Sequence, residues 1–561
     1  MTATPGSMKQ RLGDLKYKVS SSQLIKTIAG EDDTQDESRL AYNARIEKMR
    51  VVEYPMLGKK TYLDHAGTTL TSKSLMSKFT REMTATIMSN PHSAGDRQNQ
   101  VLDIINGTRL KVLNIFNADP EKFDVVFVAN ATAGIKLVLE AFTPRAEGFE
   151  YYYHRDSHTS LVGPRELAFV SQCFASDEDA EAWLRAGDDT GSNRPKLFAY
   201  PGQSNMNGRR LPLSWPSKLR SNKAKSNAYS LFDAAALITT GQLNLSDYEA
   251  APDFVVMSFY KVFGFPDLGA LIVRKPAGQL FDKRMYFGGG TTEMMTVFGK
   301  PWHARKEKAL HSRLEDGTPA IRSILALSCA IDTHAKLFSG ESQISKHTAW
   351  LSKCLHDRLA ALKHANGAQV CHVYKDSSST YGDPRTQGAT VAFNIRNSLG
   401  AYVGSTNVGA TALDHNILIR AGSLCNPGGM FNALGLKDGD IENAFANGFR
   451  CNQLGKDVYG GVAYGMVRAS LGAMTTLADI NVFVKFIENT YVEDRAAKDC
   501  GETFVGSQPI VKNVNSEKPA SSSAGGSVSK VGDPGCVGTG KRFLRRFNFK
   551  GLFSSQRKAP L

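Results

Sequence analysis

The chain has 561 residues, more than one hydrophobic core normally organises and enough for two packed domains plus tails. A hydrophobic content of 42% suits a globular protein, and no apolar run approaches the roughly 18 residues of a membrane-spanning helix. The formal net charge of +14 invites a nucleic-acid reading, but Lys and Arg are scattered through the middle and concentrate only near the C-terminus. The charge therefore reads as surface solvation, and no nucleic-acid partner is expected.

The first residues, Met1 to Gln10, have no apolar core and are not expected to act as a secretory signal. Eight Cys without paired CxxC spacing read as reduced thiols, with neither a disulfide framework nor a metal site expected, and hence a cytoplasmic location. Residues 1–45 are polar and carry the acidic cluster Glu31 to Glu37, so they are expected to form a mobile extension with a short helix at Ser20 to Ile28. A helix over Ala41 to Tyr54 leads into the fold. Thr61 to Leu63 reads as a short strand, followed by Asp64-His65-Ala66-Gly67, and Asn90-Pro91-His92-Ser93 reads as a turn. Val101, Ile104, Ile105, Leu110, Val112, Leu113 and Phe116 then recur at helical spacing.

Asp124 to Val128 is a strand, Asn130 to Gly134 a small-residue turn, and Ile135, Leu137, Val138 and Leu139 the start of a helix. A strand, turn and helix in that order make an anion site, because free N–H groups at a helix start point at a phosphate. A plain strand-to-helix turn explains the same residues. Pro195 to Tyr200 is another strand, ending in Pro201-Gly-Gln-Ser-Asn-Met-Asn-Gly208. Polar amides there sit at the carboxyl edge of an α/β sheet, where ligands bind.

The stretch Asp253 to Val273 organises the chain. An apolar run, Phe254 to Met257, turns polar at Ser258 and Lys261, breaks at Gly264 and Pro266, and returns to an apolar run at Leu268 to Val273. A surface loop lysine is the commoner reading of a lone Lys. A Lys at a strand end in apolar surroundings has a lowered pKa and can form a Schiff base with a carbonyl. The upstream run Tyr229 to Leu237 ends its apolar part in Asp233. A carboxylate and a Schiff-base lysine at strand ends are the pair that a pyridoxal 5'-phosphate site needs.

Ser-Phe-Tyr-Lys-Val-Phe-Gly-Phe-Pro at 258–266, Asp-Ala-Ala-Ala-Leu at 233–237 and Tyr-Leu-Asp-His-Ala-Gly-Thr-Thr at 62–69 resemble the molybdenum cofactor sulfurases. Those belong to the class V aminotransferase-like, cysteine desulfurase group. The resemblance runs from about Tyr62 to about Ile487. It implies the α/β fold of the type I pyridoxal phosphate enzymes: a large domain with a mainly parallel sheet over residues 46–335 and a smaller C-terminal α/β domain over 336–495. It also implies a homodimer. It makes Thr132, with Ala131, Ala133 and Ser258, the phosphate site, Asn205 the partner of the ring hydroxyl with Gln203 beside it, and His158 rather than His154 the ring-stacking proton carrier. Arg313-Leu-Glu-Asp-Gly-Thr-Pro319 resembles a segment that reaches a neighbouring subunit, which puts Thr318 on that subunit's phosphate.

Arg420-Ala-Gly-Ser-Leu-Cys-Asn-Pro-Gly-Gly-Met430 is a Gly-rich loop in which an Arg can hold Cys425 as thiolate. An unreactive loop cysteine is the plain alternative. By resemblance Cys425 is the sulfur acceptor, with Ser423 and Met430 where the group usually has two further cysteines. Arg468 matches the arginine that pairs with the substrate carboxylate, and Arg420 is grouped with it as substrate-binding. The expected reaction converts L-cysteine to alanine with a persulfide on Cys425. A pyridoxal phosphate C–S lyase or another amino-acid enzyme of specialised metabolism, not using Cys425, is the runner-up. The other cysteines carry no motif. Residues 496–561 read as a disordered basic tail whose Lys541 to Phe553 segment interleaves basic and aromatic residues, and contact with an anionic membrane is one reading of it. Many eukaryotic members of the group carry a further domain that binds the molybdenum cofactor. It is not expected within these 561 residues, which leaves open whether the final sulfur acceptor is that cofactor or a partner protein.

Overall fold

Consecutive apolar residues in Phe123–Val128, Phe254–Ser258 and Gly269–Arg274 show no polar alternation, the pattern of strands covered on both faces. The computed structural model describes residues 33–92, 100–144, 146–187, 192–450 and 454–493. In it these segments lie in a seven-stranded sheet ordered Phe123–Val128, Gly269–Arg274, Phe254–Ser258, Ala228–Asp233, Lys196–Pro201, Glu150–His154, Val170–Phe174. Gly269–Arg274 runs antiparallel to both of its neighbours, and the remaining pairs are parallel. Successive side chains go to opposite faces: Val125, Phe232, Val255 and Met257 join one core cluster, and Val126, Leu231, Phe254 and Val256 the other. On the first face the helices Gln100–Ile115 and Ile321–Phe338 pack together.

A second sheet, ordered Cys371–Val373, Thr390–Arg396, Met466–Ser470, Arg420–Gly422, carries its own core. Leu351, Leu355 and Leu359 of the helix Glu341–Ala361 and Ile480, Phe483 and Ile487 of the helix Leu477–Tyr491 bury against it. The strand expected over Ile417 to Arg420 divides in two. Ile417–Leu418 pairs in parallel with Thr61–Tyr62, and Arg420–Gly422 pairs with Met466–Ser470. Both sheets belong to one compact unit running to Cys500.

The first helix among the described residues spans Asp33–Glu53, partly inside the stretch expected to be mobile up to residue 45. Tyr42, Ile46 and Met49 fall on one face and join a core cluster. Asn43 accepts the Leu477 N–H at 2.9 Å, the Tyr42 hydroxyl donates to Phe338 O at 2.9 Å, and Arg50 Nη2 donates to Asp479 Oδ1 at 2.8 Å. These anchors make that helix part of the fold. The expected helix at Ser20 to Ile28 and the basic tail lie outside the described residues. Val170–Phe174 and the hairpin Thr292–Met295/His303–Arg305 have no counterpart in the sequence reading. Four of the five residues of Val170–Phe174 are exposed, so pairing to Glu150–His154 defines it rather than burial.

Candidate active site

One cavity opens at the carboxyl ends of five strands that run in the same direction. Asn130, Ala131 and Thr132 follow Phe123–Val128, and His158 and Ser160 follow Glu150–His154. Gln203 and Asn205 follow Lys196–Pro201, Asp233 and Ala235 close Ala228–Asp233, and Ser258, Tyr260 and Lys261 close Phe254–Ser258. Of the residues predicted to form the site, Lys261, Asp233, Asn205, Gln203, Thr132, Ala131, Ser258 and His158 therefore come together here.

Lys261 stands on the single helical turn Tyr260–Phe263. Gly264, at φ +77°, ends that turn where a side chain would strike the Leu70–Thr71 backbone. Burial pushes the Lys261 ammonium below the usual lysine range, Asp233 opposes the shift and Arg468 adds to it. A lysine so placed reaches its neutral, nucleophilic form at lower pH than an exposed one. Asp233 is buried, and its Oδ1 accepts the Ala235 N–H at 2.9 Å.

The helix Ala131–Leu139 starts at the cavity wall. Ser258 Oγ accepts the Ala131 N–H at 2.9 Å, and Asn130 Oδ1 caps the helix by accepting the Ala133 N–H at 3.0 Å. The Ala131 and Ala133 amides are thus committed within the chain, and Ala133 does not line the cavity. Thr132 lines it, and its amide and hydroxyl have no hydrogen-bond partner among the described residues. The open anion donor of this helix start is therefore Thr132.

His158 Nδ1 accepts the Ser160 N–H at 3.1 Å, which leaves Nε2 to carry the proton of the neutral ring. Burial lowers its pKa, Asp233 raises it, and Lys261 and Arg468 lower it further. His154 is buried against Asp177 and lies outside the cavity. Gln203 Oε1 accepts from Arg210 Nε at 3.1 Å.

Further predicted residues lie outside the cavity lining. Arg468 is buried, and its Nη2 donates to Asp64 Oδ1 and its Nη1 to Asn205 O, both at 2.8 Å. Its Nε is buried without a partner, an orphaned donor suited to an incoming carboxylate. Arg420 is half-buried, and Cys425 is an exposed free thiol. Its neighbours Leu424 and Asn426 both hydrogen-bond to Asn205, which places the Cys425 loop beside the cavity. Thr318 is exposed and outside the cavity of this chain. The sequence reading missed Asp64, although it lies in the quoted 62–69 motif, and it missed Tyr260, Ser160 and Ala235. Tyr260 is the residue before Lys261, so adjacency was the available signal.

The donor set, a half-buried amine and a buried carboxylate with an open helix start, fits a phosphorylated pyridine aldehyde. Fold and site define a protein of the mainly parallel α/β kind with a lysine and a carboxylate in one cavity at the carboxyl edge of its sheet. The chain belongs to the aminotransferase class-V family, whose profile matches residues 61–483. It is 50% identical over 473 residues to a molybdenum cofactor sulfurase of Aspergillus fumigatus, across 84% of this chain and 56% of that protein. It thus spans about half the length of the curated relatives it matches. Its fold is similar to that of the apo cysteine desulfurase from Thermococcus onnurineus NA1, with a TM-score of 0.61 and 20% identity over 79% of this chain and 98% of that one. It is also similar to the cystine C–S lyase C-DES solved with cysteine persulfide, with a TM-score of 0.55 and 16% identity over 78% of this chain and 100% of that one. The architecture is the type I fold of pyridoxal phosphate enzymes, as the sequence led us to expect.

Proposed function

We propose that this chain is a pyridoxal 5'-phosphate-dependent cysteine desulfurase that hands its sulfur onward, as the name of its molybdenum cofactor sulfurase relatives suggests. The observation that carries the reading is the gathering of Lys261, Asp233, Thr132, Ser258, Asn205 and His158 around one cavity. Thr132 and Ser258 would hold the phosphate, Asp233 the ring nitrogen, and Asn205 with Gln203 the ring hydroxyl. The bound cofactor supplies an electron sink for charge developing at the substrate α-carbon.

The chain's own residues do the rest. Arg468, with Arg420 beside it, receives the carboxylate of L-cysteine. The Lys261 amine takes the α-proton, and His158 Nε2 assists its movement. The Cys425 thiolate attacks the substrate sulfur, so that a new S–S bond forms as the Cβ–S bond breaks. The Cβ is reduced and gains a proton, giving alanine, while the transferred sulfur is oxidised to the persulfide level on Cys425. The onward acceptor is a molybdenum cofactor or a partner protein. Work in the reducing cytoplasm keeps the thiol available.

A homodimer belongs to this proposal. The hairpin at 292–305 exposes Met294, Phe298 and Trp302 by 66%, 93% and 53%, an apolar face that monomers seldom leave in water. A second copy seated there would bring Thr318 toward its neighbour's phosphate.

The test is product analysis from L-cysteine with intact mass, for the wild type and Cys425→Ala. Alanine with a persulfide that vanishes in the variant is expected. The similarity to a C–S lyase keeps a second reading in view. Pyruvate and sulfide, undiminished in Cys425→Ala, would establish that reading instead.

A further inference from the structure

The loop carrying Cys425 is fastened to the cavity rim by a pair of asparagines. Asn426 is 1% exposed. Its Nδ2 donates to Asp156 O at 2.9 Å and to Asn205 Oδ1 at 3.1 Å, with Ser204 Oγ at 3.3 Å. Its Oδ1 accepts the Gly429 N–H at 3.0 Å and caps the helix Pro427–Leu434. Asn205 in turn donates its Nδ2 to Leu424 O at 2.7 Å, and the Thr159 N–H donates to Cys425 O at 3.0 Å. The residues on either side of Cys425 are thus bonded to Asn205, and its own carbonyl to the turn that holds His158.

Cys425 has φ +56°, the left-handed region that a residue with a Cβ seldom occupies. Released, it would relax to right-handed or extended backbone, which redirects its side chain. Gly428 lies against the Arg155 carbonyl, where a side chain would not fit, so the loop closes tightly on the strand end below it.

We infer that Asn426 is a positioning residue: its side-chain N–H groups, given to Asp156 O and Asn205 Oδ1, hold Cys425 in left-handed backbone beside the cavity. The chemical consequence rests on the desulfurase reading, whereas the docking of the loop does not. Asn205 joins loop to cavity, since the amide that lines the cofactor site also carries Leu424 and Asn426.

The experiment compares the cofactor-loaded full chain as wild type, Asn426→Ala and Asn426→Asp. Asp keeps an oxygen to cap Gly429 but has no N–H to donate. Amide hydrogen exchange of the peptide spanning Gly422 to Met430 reads the docking. Exchange of the α-proton of L-alanine in deuterated water reads Lys261 and the cofactor without Cys425. Persulfide on Cys425 reads the sulfur step.

Both variants are expected to exchange loop amides about fivefold faster, the factor for one net hydrogen bond lost. Persulfide formation falls by about the same factor, and α-proton exchange stays at the wild-type rate. Asn426→Asp matching the wild type in loop exchange and persulfide would show that only the cap matters and would overturn the inference. A parallel loss of α-proton exchange would also overturn it, because the effect would then reach beyond the loop. A wild type without α-proton exchange or persulfide would sink the desulfurase reading, and the amide-exchange ratio would still decide the docking.

Discussion

Arg420 and Arg468 face each other across the antiparallel pair of Arg420–Gly422 with Met466–Ser470. Like charges at directly opposed strand positions repel. Asp64 neutralises one of them through Arg468 Nη2, whereas Arg420 has no ion-pair or hydrogen-bond partner among the described residues. The rim therefore keeps a cation in reserve, matched to a substrate that brings one carboxylate.

Arg420→Ala removes that reserve without unpairing a buried charge. We expect it to raise the KM for L-cysteine about tenfold, close to the upper range of one charge-assisted hydrogen bond, with little change in melting temperature. Arg468→Lys loses the guanidinium fork and is expected to cost more in KM, although the charge is kept. Steady-state kinetics of the two variants would contradict the assignment if neither KM moved.

Asp64→Asn acts on stability. It leaves the buried Arg468 guanidinium without its counter-charge, at a cost of roughly 3 kcal/mol. Urea denaturation should show a lower midpoint with an unchanged slope. A double variant, Asp64→Asn with Arg468→Met, should recover part of the loss, because both halves of the pair are then gone.

Acid should destabilise the protein earlier than its carboxylates alone would require. Burial pushes His65 down to about 3, with Arg50 adding to the shift, and burial pushes His334 and His347 down to about 4. Each keeps its neutral form in the fold but binds a proton near 6.5 when unfolded. The unfolded state then holds more protons between about pH 6.5 and pH 4, so stability is full above that window and is lost as pH falls through it. Together the three histidines give a slope of up to about 4 kcal/mol per pH unit. His334→Phe keeps a ring beside Phe263 and Phe338 and should flatten the slope by about 1.4 kcal/mol per unit. Urea midpoints taken on either side of pH 6 check both statements.

Phe298→Asp and Trp302→Asp place a carboxylate in the exposed apolar hairpin. Light scattering should show both variants shifted from dimer to monomer, with retention of the far-ultraviolet circular dichroism of the wild type. Monomeric wild-type protein would remove the basis for placing Thr318 at a neighbour's site.

The core strands were legible because they are local and apolar, and their period differs from that of the helices around them. Lys261 and Asp233 stood out because each closes an apolar run, so a strand end and a polar group coincide in a few residues. Val170–Phe174 was not legible, since it is an exposed edge defined by its neighbour rather than by its own pattern. The committed amides of Ala131 and Ala133 were equally hidden, because Ser258 and Asn130 compete for them only in the folded turn.

By itself the sequence determined the alternation of strand and helix, the placing of Lys261 and Asp233 at strand ends, and the loop with its cysteine. These depend on residue type and on spacings of a few positions, which short-range periodicity and strand-end chemistry reveal. Only the tertiary structure decided that Asp64 holds Arg468 across 404 positions and that Asn426 docks on Asn205 across 221. Contacts at such separations have no repeat in the chain. They exist because two sheets fold against one cavity and bring together donors and acceptors that nothing local relates.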